Sequence, residues 1–155
     1  MGDVYFYHQT RSTLEQTLPE ILGKCRGRGW PVVVQAADRE RLNRLDRQLW
    51  TQSVDDFLPH GVAGQKYDAD QPVLLSTHTD APNRAKVLVV LDDLEIDPET
   101  AARFTRVCLI FDGNAGTSLT AARQQWARLA KAGVPARYWS QESGSWQDKT
   151  PTVPA

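Results

Sequence analysis

Aspartates that follow two apolar runs are the first candidates for chemistry. Asp92 and Asp93 end the run VLVVLDD, and Asp112 ends RVCLIFD. A buried strand followed by an acid is the arrangement that holds magnesium in nucleotide hydrolases. Those enzymes also need a glycine-rich loop with a lysine to cradle the phosphates, and the segment after the first predicted strand, HQTRST, has no glycine. The simplest interpretation is that these aspartates are polar residues at the ends of their strands, where the chain leaves the sheet. A nucleotide-binding or metal-dependent phosphotransfer enzyme that uses them is the alternative hypothesis.

Two segments that each contain a pair of glycines are candidates for phosphate-binding turns. GNAG at 113–116 lies between a predicted strand and a predicted helix, which is where a phosphate turn belongs. It is too short for a dinucleotide fingerprint, so it predicts a tight left-handed turn instead. GRGW at 27–30 follows a helix rather than a strand. The sequence therefore predicts no phosphate-binding loop.

Histidines and cysteines are too scattered for a catalytic triad or a metal site. The chain has only two cysteines and three histidines, and none of them forms a closely spaced pair: Cys25, Cys108, His8, His60 and His78. We therefore expect no metal and no cofactor. His60 follows Pro59 in a loop, where it would act as a ligand or base, or simply hydrogen-bond the loop backbone.

The predicted helix over 118–132 presents an apolar face with a basic edge. At about 100° per residue, Arg123 falls at the edge of this face, Lys131 falls on the same flank and Arg128 points away. An arginine beside an apolar groove suits a peptide that carries a carboxylate, because the guanidinium can grip it with two hydrogen bonds. An amphipathic helix with solvated basic residues explains the pattern equally well. The apolar face comprises Leu119, Ala122, Trp126, Leu129 and Ala130.

Large apolar side chains also follow a second predicted helix. Trp50 ends that helix, and Phe57 and Leu58 lie in the segment DDFLPHGVAG. Such residues either tuck beneath the domain or form a contact patch. The pattern alone favours tucking.

Composition indicates one soluble domain without a strong charge bias. The chain has 155 residues and a net charge of −1, which disfavours a direct DNA-binding module. The charge is +2 over 1–50, −7 over 51–100 and +4 over 101–155. The positive last third indicates an acidic partner or a chance fluctuation. No run approaches a membrane span, and MGDVYFYHQT does not resemble a signal peptide, so we expect a cytoplasmic protein.

Strand and helix patterns alternate along the chain. This alternation predicts a single-domain, three-layer α/β/α fold with a mostly parallel sheet over 1–146, and a flexible tail over 147–155. Residues 51–72 are expected to form a long irregular connection. The predicted strands are 3–8, 30–35, 73–76, 85–91, 106–111 and 135–141, and the predicted helices are 13–28, 39–50, 98–104 and 118–132.

Two segments resemble a known family. RLDRQLWTQSVDDFLPHGVAGQ (44–65) and AARQQWARLAKAGVPARYWSQESGSW (121–146) look like the chi subunit of DNA polymerase III. The resemblance covers about residues 3–146 and implies an α/β fold that is similar to nucleotide-binding folds but lacks a nucleotide site. It also implies a non-catalytic adaptor at the clamp loader that grips the acidic C-terminal tail of single-stranded-DNA-binding protein. Such an adaptor pairs with the psi subunit or a repair helicase, contacts DNA mainly indirectly and works at replication forks.

The same resemblance implies two sets of site residues. Arg123 matches the family's basic residue for the tail carboxylate, and Trp126 matches an aromatic position beside it. Two lysines of the family are Leu119 and Ala127 here, so Lys131 or Arg128 is expected to supply the missing charge. The tail groove is thus predicted to comprise Arg123, Trp126, Leu119, Ala122, Lys131 and Arg128. The psi or helicase surface is predicted to comprise Trp50, Phe57, Leu58, Pro59 and His60. Trp50 and Phe57 are expected to be partly exposed, which replaces the interpretation that they are buried beneath the domain.

Overall fold

The computed structural model describes residues 3–9, 13–51, 60–140 and 147–148. Over these residues the chain forms eight strands and four α-helices. The strands are β1 (Asp3–Gln9), β2 (Val32–Gln35), β3 (Gly61–Val62), β4 (Val73–Ser76), β5 (Val87–Val90), β6 (Arg106–Asp112), β7 (Ala136–Ser140) and β8 (Gln147–Asp148). The helices are α1 (Leu14–Gly27), α2 (Arg39–Thr51), α3 (Pro98–Ala102) and α4 (Gly116–Lys131).

The strands form one sheet in the order β3-β4-β2-β5-β6-β1-β7-β8. All neighbouring strands are parallel except β8, which runs antiparallel to β7. Parallel strands that are covered on both faces have nearly continuous apolar sequences, as in VLVV of β5. The predicted mostly parallel sheet is confirmed.

Alternate side chains of the central strands enter separate cores on the two faces of the sheet. On β5, for example, Val87 and Val89 enter one core and Leu88 and Val90 enter the other. The first core lies under α1 and α2 and the second under α3 and α4, which confirms the three-layer fold. The first core includes Leu18, Leu22, Leu42, Leu45 and Cys108, and the second includes Val4, Phe6, Ala101, Phe111 and Leu129.

The helix ends follow from local sequence signals. The Asp38 carboxylate accepts the Arg41 backbone N–H at 2.8 Å, which confirms Asp38 as the predicted N-cap of α2. At the end of α4, Gly133 adopts a φ of +78°. There Gly133 N–H donates to the Ala130 carbonyl and Val134 N–H donates to the Leu129 carbonyl, each at 3.0 Å. These two bonds satisfy the last carbonyls of the helix, so Gly133 ends α4 as predicted.

The predicted left-handed turn at GNAG is wrong. Neither Gly113 nor Gly116 has a positive φ. Gly113 is instead required by space, because a Cβ atom there would lie 1.9 Å from His8 Cδ2 and 2.8 Å from the Gln9 carbonyl oxygen. The helix that follows begins at Gly116, two residues before the predicted start at 118.

Two further differences concern short elements. The connection predicted to be irregular contains β3 and a 3-10 turn over Asp68–Asp70. Gln147 and Asp148 lie in the predicted tail, but they pair with Ser140 and Trp139 and therefore belong to the sheet. Two-residue strands are too short for an alternating pattern to reveal them.

Within the described helices, none has the combination of length and hydrophobicity that crossing a membrane requires.

Candidate partner-binding surfaces

Helix α4 packs on the sheet through one face. Ala122, Gln125 and Leu129 are buried, and they are separated by three and four residues, as expected for one side of a helix. Gln125 Nε2 donates to the Leu94 carbonyl and Gln125 Oε1 accepts the Ile96 N–H, both at 2.8 Å. Gln125 thus fixes the segment that precedes α3 against α4.

Trp126 lies on one flank of this buried face and is half-buried. Its ring meets Phe6 edge-on at a centroid distance of 5.2 Å and Tyr138 at 6.0 Å. Edge-to-face packing of this kind stabilises aromatic rings beyond the area they bury. Leu119 is also half-buried and packs against the same core. The flank therefore presents a rigid aromatic and aliphatic surface.

Arg123 lies one turn before Trp126 on the same flank. Its side chain is exposed and makes no ion pair with any residue that the structure describes. Lys131, also exposed, likewise has no ion-pair partner among the described residues. The two side chains are available cations on the outer side of the helix.

Arg128 lies on the opposite flank, about 140° around the helix from Arg123. Its guanidinium donates to the Ile96 carbonyl at 3.2 Å and lies 3.4 Å from the Glu95 carboxylate. Arg128 therefore anchors the segment before α3 and does not share the flank of Arg123.

Trp50 forms an exposed cluster at the end of α2. Its side chain is 48% exposed, which confirms the predicted exposure of Trp50. The ring lies against His60 at 4.3 Å, and the indole N–H donates to the Asp46 carboxylate at 3.2 Å. His60 is buried, and its Nε2 lies 3.1 Å from Asp46 Oδ1 and 3.3 Å from the Asp46 carbonyl. Of the residues predicted for this surface, Phe57, Leu58 and Pro59 lie outside the described residues.

The three aspartates come together at one cleft of about 240 Å³, at the carboxyl ends of β1, β5 and β6. This is the edge where nucleotide-binding α/β folds hold their ligands. Asp92 accepts the Ala37 N–H at 2.9 Å and pairs with Arg41 Nε at 3.1 Å. The remaining two carboxylates accept hydrogen bonds from the Ser118 hydroxyl at 2.7 Å and from the Asn114 N–H at 2.9 Å. Each carboxylate is thus engaged within the chain.

No three His, Cys, Asp or Glu side chains gather as metal ligands in the described ranges.

The turn that carries Asp92 and Asp93 is unusual, since both residues have a positive φ, 57° and 58°. Leu94 N–H donates to the Leu91 carbonyl at 3.2 Å across this turn. Two consecutive left-handed residues form the tight turn that connects β5 to the next segment.

Comparison with known proteins identifies the family. The family model described as "DNA polymerase III chi subunit, HolC" matches residues 1–137. The chain belongs to the DNA polymerase III chi subunit family. Members of this family are subunits of a DNA replication complex, so this chi-family chain is an accessory component of the polymerase, as the resemblance implied.

Two curated relatives carry the same name. The chain is 27% identical over 117 residues to "Probable DNA polymerase III subunit chi" of Rickettsia prowazekii (strain Madrid E), covering 72% of this chain and 71% of the relative. It is 30% identical over 97 residues to "DNA polymerase III subunit chi" of Escherichia coli (strain K12), covering 62% of this chain and 65% of the relative.

A solved structure shares the fold. The C-terminal domain of the DEAD-box protein Dbp5 superposes with a TM-score of 0.55 at 13% sequence identity, covering 89% of this chain and 90% of that chain. At this identity the likeness concerns the architecture alone.

Sequence reasoning missed two features of this chi-family chain. Gln125 projects onto the buried side of α4, so its position in the helical projection was the available signal. Lys24, Arg28 and Arg106 line one depression between α1 and β6, yet Arg106 is distant in sequence from the other two and gave no signal.

Two cysteines line the same depression. Burial and the neighbouring Cys25 raise the pKa of the Cys108 thiol to about 12. Burial also raises the pKa of Cys25.

Proposed function

We propose that this chi-family chain is a non-catalytic adaptor subunit of DNA polymerase III. It binds the acidic C-terminal tail of single-stranded-DNA-binding protein and links it to the clamp loader, through the psi subunit where psi is present. It performs this role in the cytoplasm, at replication forks. The chain contributes contacts rather than polymerase chemistry, a proposal supported by the internal hydrogen bonds of Asp92, Asp93 and Asp112.

The observation that carries the tail-binding proposal is the pairing of Arg123 with Trp126. The guanidinium of Arg123 has no ion-pair partner among the described residues, and Trp126 beside it is held by Phe6 and Tyr138. A free guanidinium can bind a carboxylate through two parallel hydrogen bonds. A fixed indole offers an apolar surface to the last side chain of the tail. Together they match a peptide that ends in an apolar residue and a free carboxylate.

The neighbouring residues would complete the groove in different ways. Leu119 supplies an apolar wall because it is half-buried, and Ala122 supplies the floor because it is buried. Lys131 is the candidate for the charge that the family carries elsewhere. Arg128 plays the smaller part, because its guanidinium is already bound to the Ile96 carbonyl on the other flank.

The expected affinity is modest. One buried apolar side chain contributes roughly 1.5–3 kcal/mol, and one charge-assisted hydrogen bond contributes about 1.5–3 kcal/mol. Ordering a flexible tail offsets part of this gain. We therefore expect a dissociation constant no tighter than about 1 μM, and weaker binding at high salt because exposed charges are screened.

The test is a titration with a short peptide that carries Asp-Asp and an apolar C-terminus, with the C-terminally amidated peptide as control. Arg123→Ala should weaken binding of the free-acid peptide at least about tenfold. Arg44→Ala, which removes an exposed arginine from α2, should leave binding unchanged. Equal affinity of Arg123→Ala and the parent chain would rule out this groove. Equal affinity of the two peptides for the parent chain would rule out the carboxylate clamp.

We propose the Trp50 surface as the site for the psi subunit or a competing repair helicase, with His60, Phe57, Leu58 and Pro59. The exposed ring of Trp50 on a buried His60 supports this proposal, because a rigid exposed tryptophan is a typical interface anchor. Trp50→Ala should weaken psi binding at least about tenfold. Tyr67→Ala is the matched control, since Tyr67 is an exposed aromatic residue, 59% exposed, elsewhere on the surface. Equal losses in the two variants would contradict the assignment.

A further inference from the structure

A groove lined by cations and aromatic rings runs between α1 and strands β1, β6 and β7. Strand alternation brings Tyr5 and Tyr7 of β1 to the face that α1 covers, and their partners on β7 are Arg137 and Trp139. Trp139 and both tyrosines are half-buried. The groove lies on the opposite face of the sheet from α4, so it is separate from the proposed tail site.

One end of the groove is a cationic depression of about 50 Å³. It is lined by Lys24 and Arg28 from the end of α1 and by Arg106 from β6, and none of the described residues in its lining is acidic. None of the three makes an ion pair with a described residue. Three cations that converge without a carboxylate create a site for an anion.

Aromatic rings hold two of these cations in place. The Arg106 guanidinium lies 4.2 Å from the centre of the Tyr5 ring and 5.5 Å from that of Trp30. The Arg28 guanidinium lies 5.0 Å from the centre of Trp30. Stacking of this kind orients a guanidinium without neutralising its charge, so both arginines keep donors for a ligand.

The other end of the groove is an aromatic slot of about 90 Å³ that shares Tyr7 and Lys24 with the depression. Tyr7 and Trp139 form its walls, and Thr17 lies in its lining; Glu20 is its acidic lining residue. Thr17 is 2% exposed. Its hydroxyl and the Trp139 indole N–H have no hydrogen-bond partner among the described residues. A buried polar group without a partner in a native fold calls for an explanation, and a ligand in the slot is one.

We propose that this groove binds single-stranded DNA directly, with a phosphate in the cationic depression and a neighbouring base in the aromatic slot. Phosphate contacts from lysine and arginine next to a stacking surface are the combination that binds single strands. The slot adds the rings of Tyr7 and Trp139, on which a base can stack and which an acidic peptide would leave unused. A duplex hides its bases in the stack, so it would reach only the depression. This contact goes beyond the adaptor function and beyond the mainly indirect DNA contact that the family resemblance implied.

The first experiment is a fluorescence anisotropy titration of a labelled oligothymidylate with the full chain at low salt. Lys24→Ala/Arg28→Ala should weaken binding at least about tenfold and lower the salt slope of log K by about 0.7, since the depression holds one phosphate and each phosphate contact on a single strand contributes about 0.7. The matched control is Arg44→Ala/Arg47→Ala, which removes two exposed charges from α2. It should change affinity by less than about twofold.

The second experiment separates base from phosphate recognition. An abasic strand of the same length, and Trp139→Leu with the intact strand, should each bind at least about fivefold more weakly, because base stacking contributes this much or more. Thermal unfolding of each variant checks that the fold is intact, and if Trp139→Leu does not fold, the abasic strand alone decides.

Several results would overturn the proposal. In one such result, the parent chain fails to bind the oligothymidylate at low salt. In the others, the two double variants lose the same DNA affinity, or the parent chain binds intact and abasic strands equally well. Binding of oligoglutamate but not of DNA would assign the groove to an acidic peptide instead. Arg123→Ala should bind DNA like the parent chain, so a failure of this proposal leaves the tail-binding proposal standing.

Discussion

The aspartate cleft and the cationic groove of this chi-family chain differ in how their charges are used. In the cleft, the carboxylates of Asp92, Asp93 and Asp112 accept hydrogen bonds from Ala37, Ser118 and Asn114 within the chain. In the groove, Lys24, Arg28 and Arg106 have no carboxylate partner among the described residues. The cleft occupies the edge of the sheet where nucleotides bind in similar folds, yet its acids hold the turns together. Location in a fold therefore says less about binding than whether the charges already have partners.

The largest effect is expected from Gly113→Ala at the rim of the cleft. The added Cβ would lie 1.9 Å from His8 Cδ2, and the His8 ring is stacked on Phe111 at 5.2 Å and cannot easily give way. We expect a loss of about 3 kcal/mol in the free energy of unfolding, measured by urea denaturation. Gly116→Ala is the control, because a Cβ there meets nothing within 4 Å. It should be neutral or slightly stabilising, and similar losses in both variants would show that the cleft wall is not closely packed.

The second prediction concerns alkaline pH and the residues behind the groove. Burial raises the pKa values of Cys108, to about 12, and of Cys25 and Tyr7. The native state therefore holds protons that the unfolded chain releases above about pH 8.5. Their contribution to stability is present below this pH and is lost as the pH rises toward 12.

For Cys108 alone the expected loss is about 2 kcal/mol between pH 8.5 and 10, since each pH unit between the two pKa values is equivalent to about 1.4 kcal/mol. Urea denaturation at a series of pH values measures it. Cys108→Ala should show a flatter alkaline decline than the parent chain, although it starts from a lower stability. An identical slope in both proteins would contradict the raised thiol pKa.

Third, Asp92→Asn should lower the free energy of unfolding by about 1–2 kcal/mol, because it weakens the bonds to the Ala37 N–H and to Arg41. Asparagine tolerates the positive φ of this position, so the backbone adds little to the loss. Asp70→Asn, at an exposed position, is the control and should change stability by less than about 0.5 kcal/mol. If Asp92→Asn were as stable as the parent chain, the carboxylate would not be structural, and the contrast between cleft and groove would fail.

The smallest effect is expected from MgATP. Because the carboxylates of the cleft are engaged within the chain, a large excess of MgATP should leave the melting temperature unchanged in a thermal-shift assay. A ligand at 100 times its dissociation constant would add about 2.7 kcal/mol of stability, which such an assay detects readily. A clear upward shift that Asp92→Asn abolishes would restore the nucleotide-binding alternative.

Most of the fold could be predicted from the sequence because its elements carry strong local patterns. β4 matches the predicted strand over 73–76, and α2 matches the predicted helix to within one residue. β3 and β8 were missed because two residues show no periodicity, and their pairing depends on neighbours supplied by the folded chain. GNAG was misread because its glycine is required by a contact with His8, which is more than 100 residues away in sequence.

The candidate sites also differ in whether the sequence alone could predict them. Arg123 and Trp126 are three residues apart on one helix, so a helical projection brings them together without a structure. Lys24 and Arg106 belong to different elements and meet only because α1 lies across β6. Net charges summed over consecutive stretches of the sequence place Lys24 and Arg106 in different sums. Neither these sums nor the net charge of −1 therefore indicates that positive charge is concentrated in the groove.

The two borders of the sheet set a limit on how partners attach. β3 and β8, the outermost strands of the described sheet, are each two residues long. Such stubs offer few unpaired backbone amides and carbonyls, which discourages an incoming chain from extending the sheet. Short outermost strands of this kind limit edge-to-edge pairing with other chains, so recognition falls mainly to side chains on the helices and grooves.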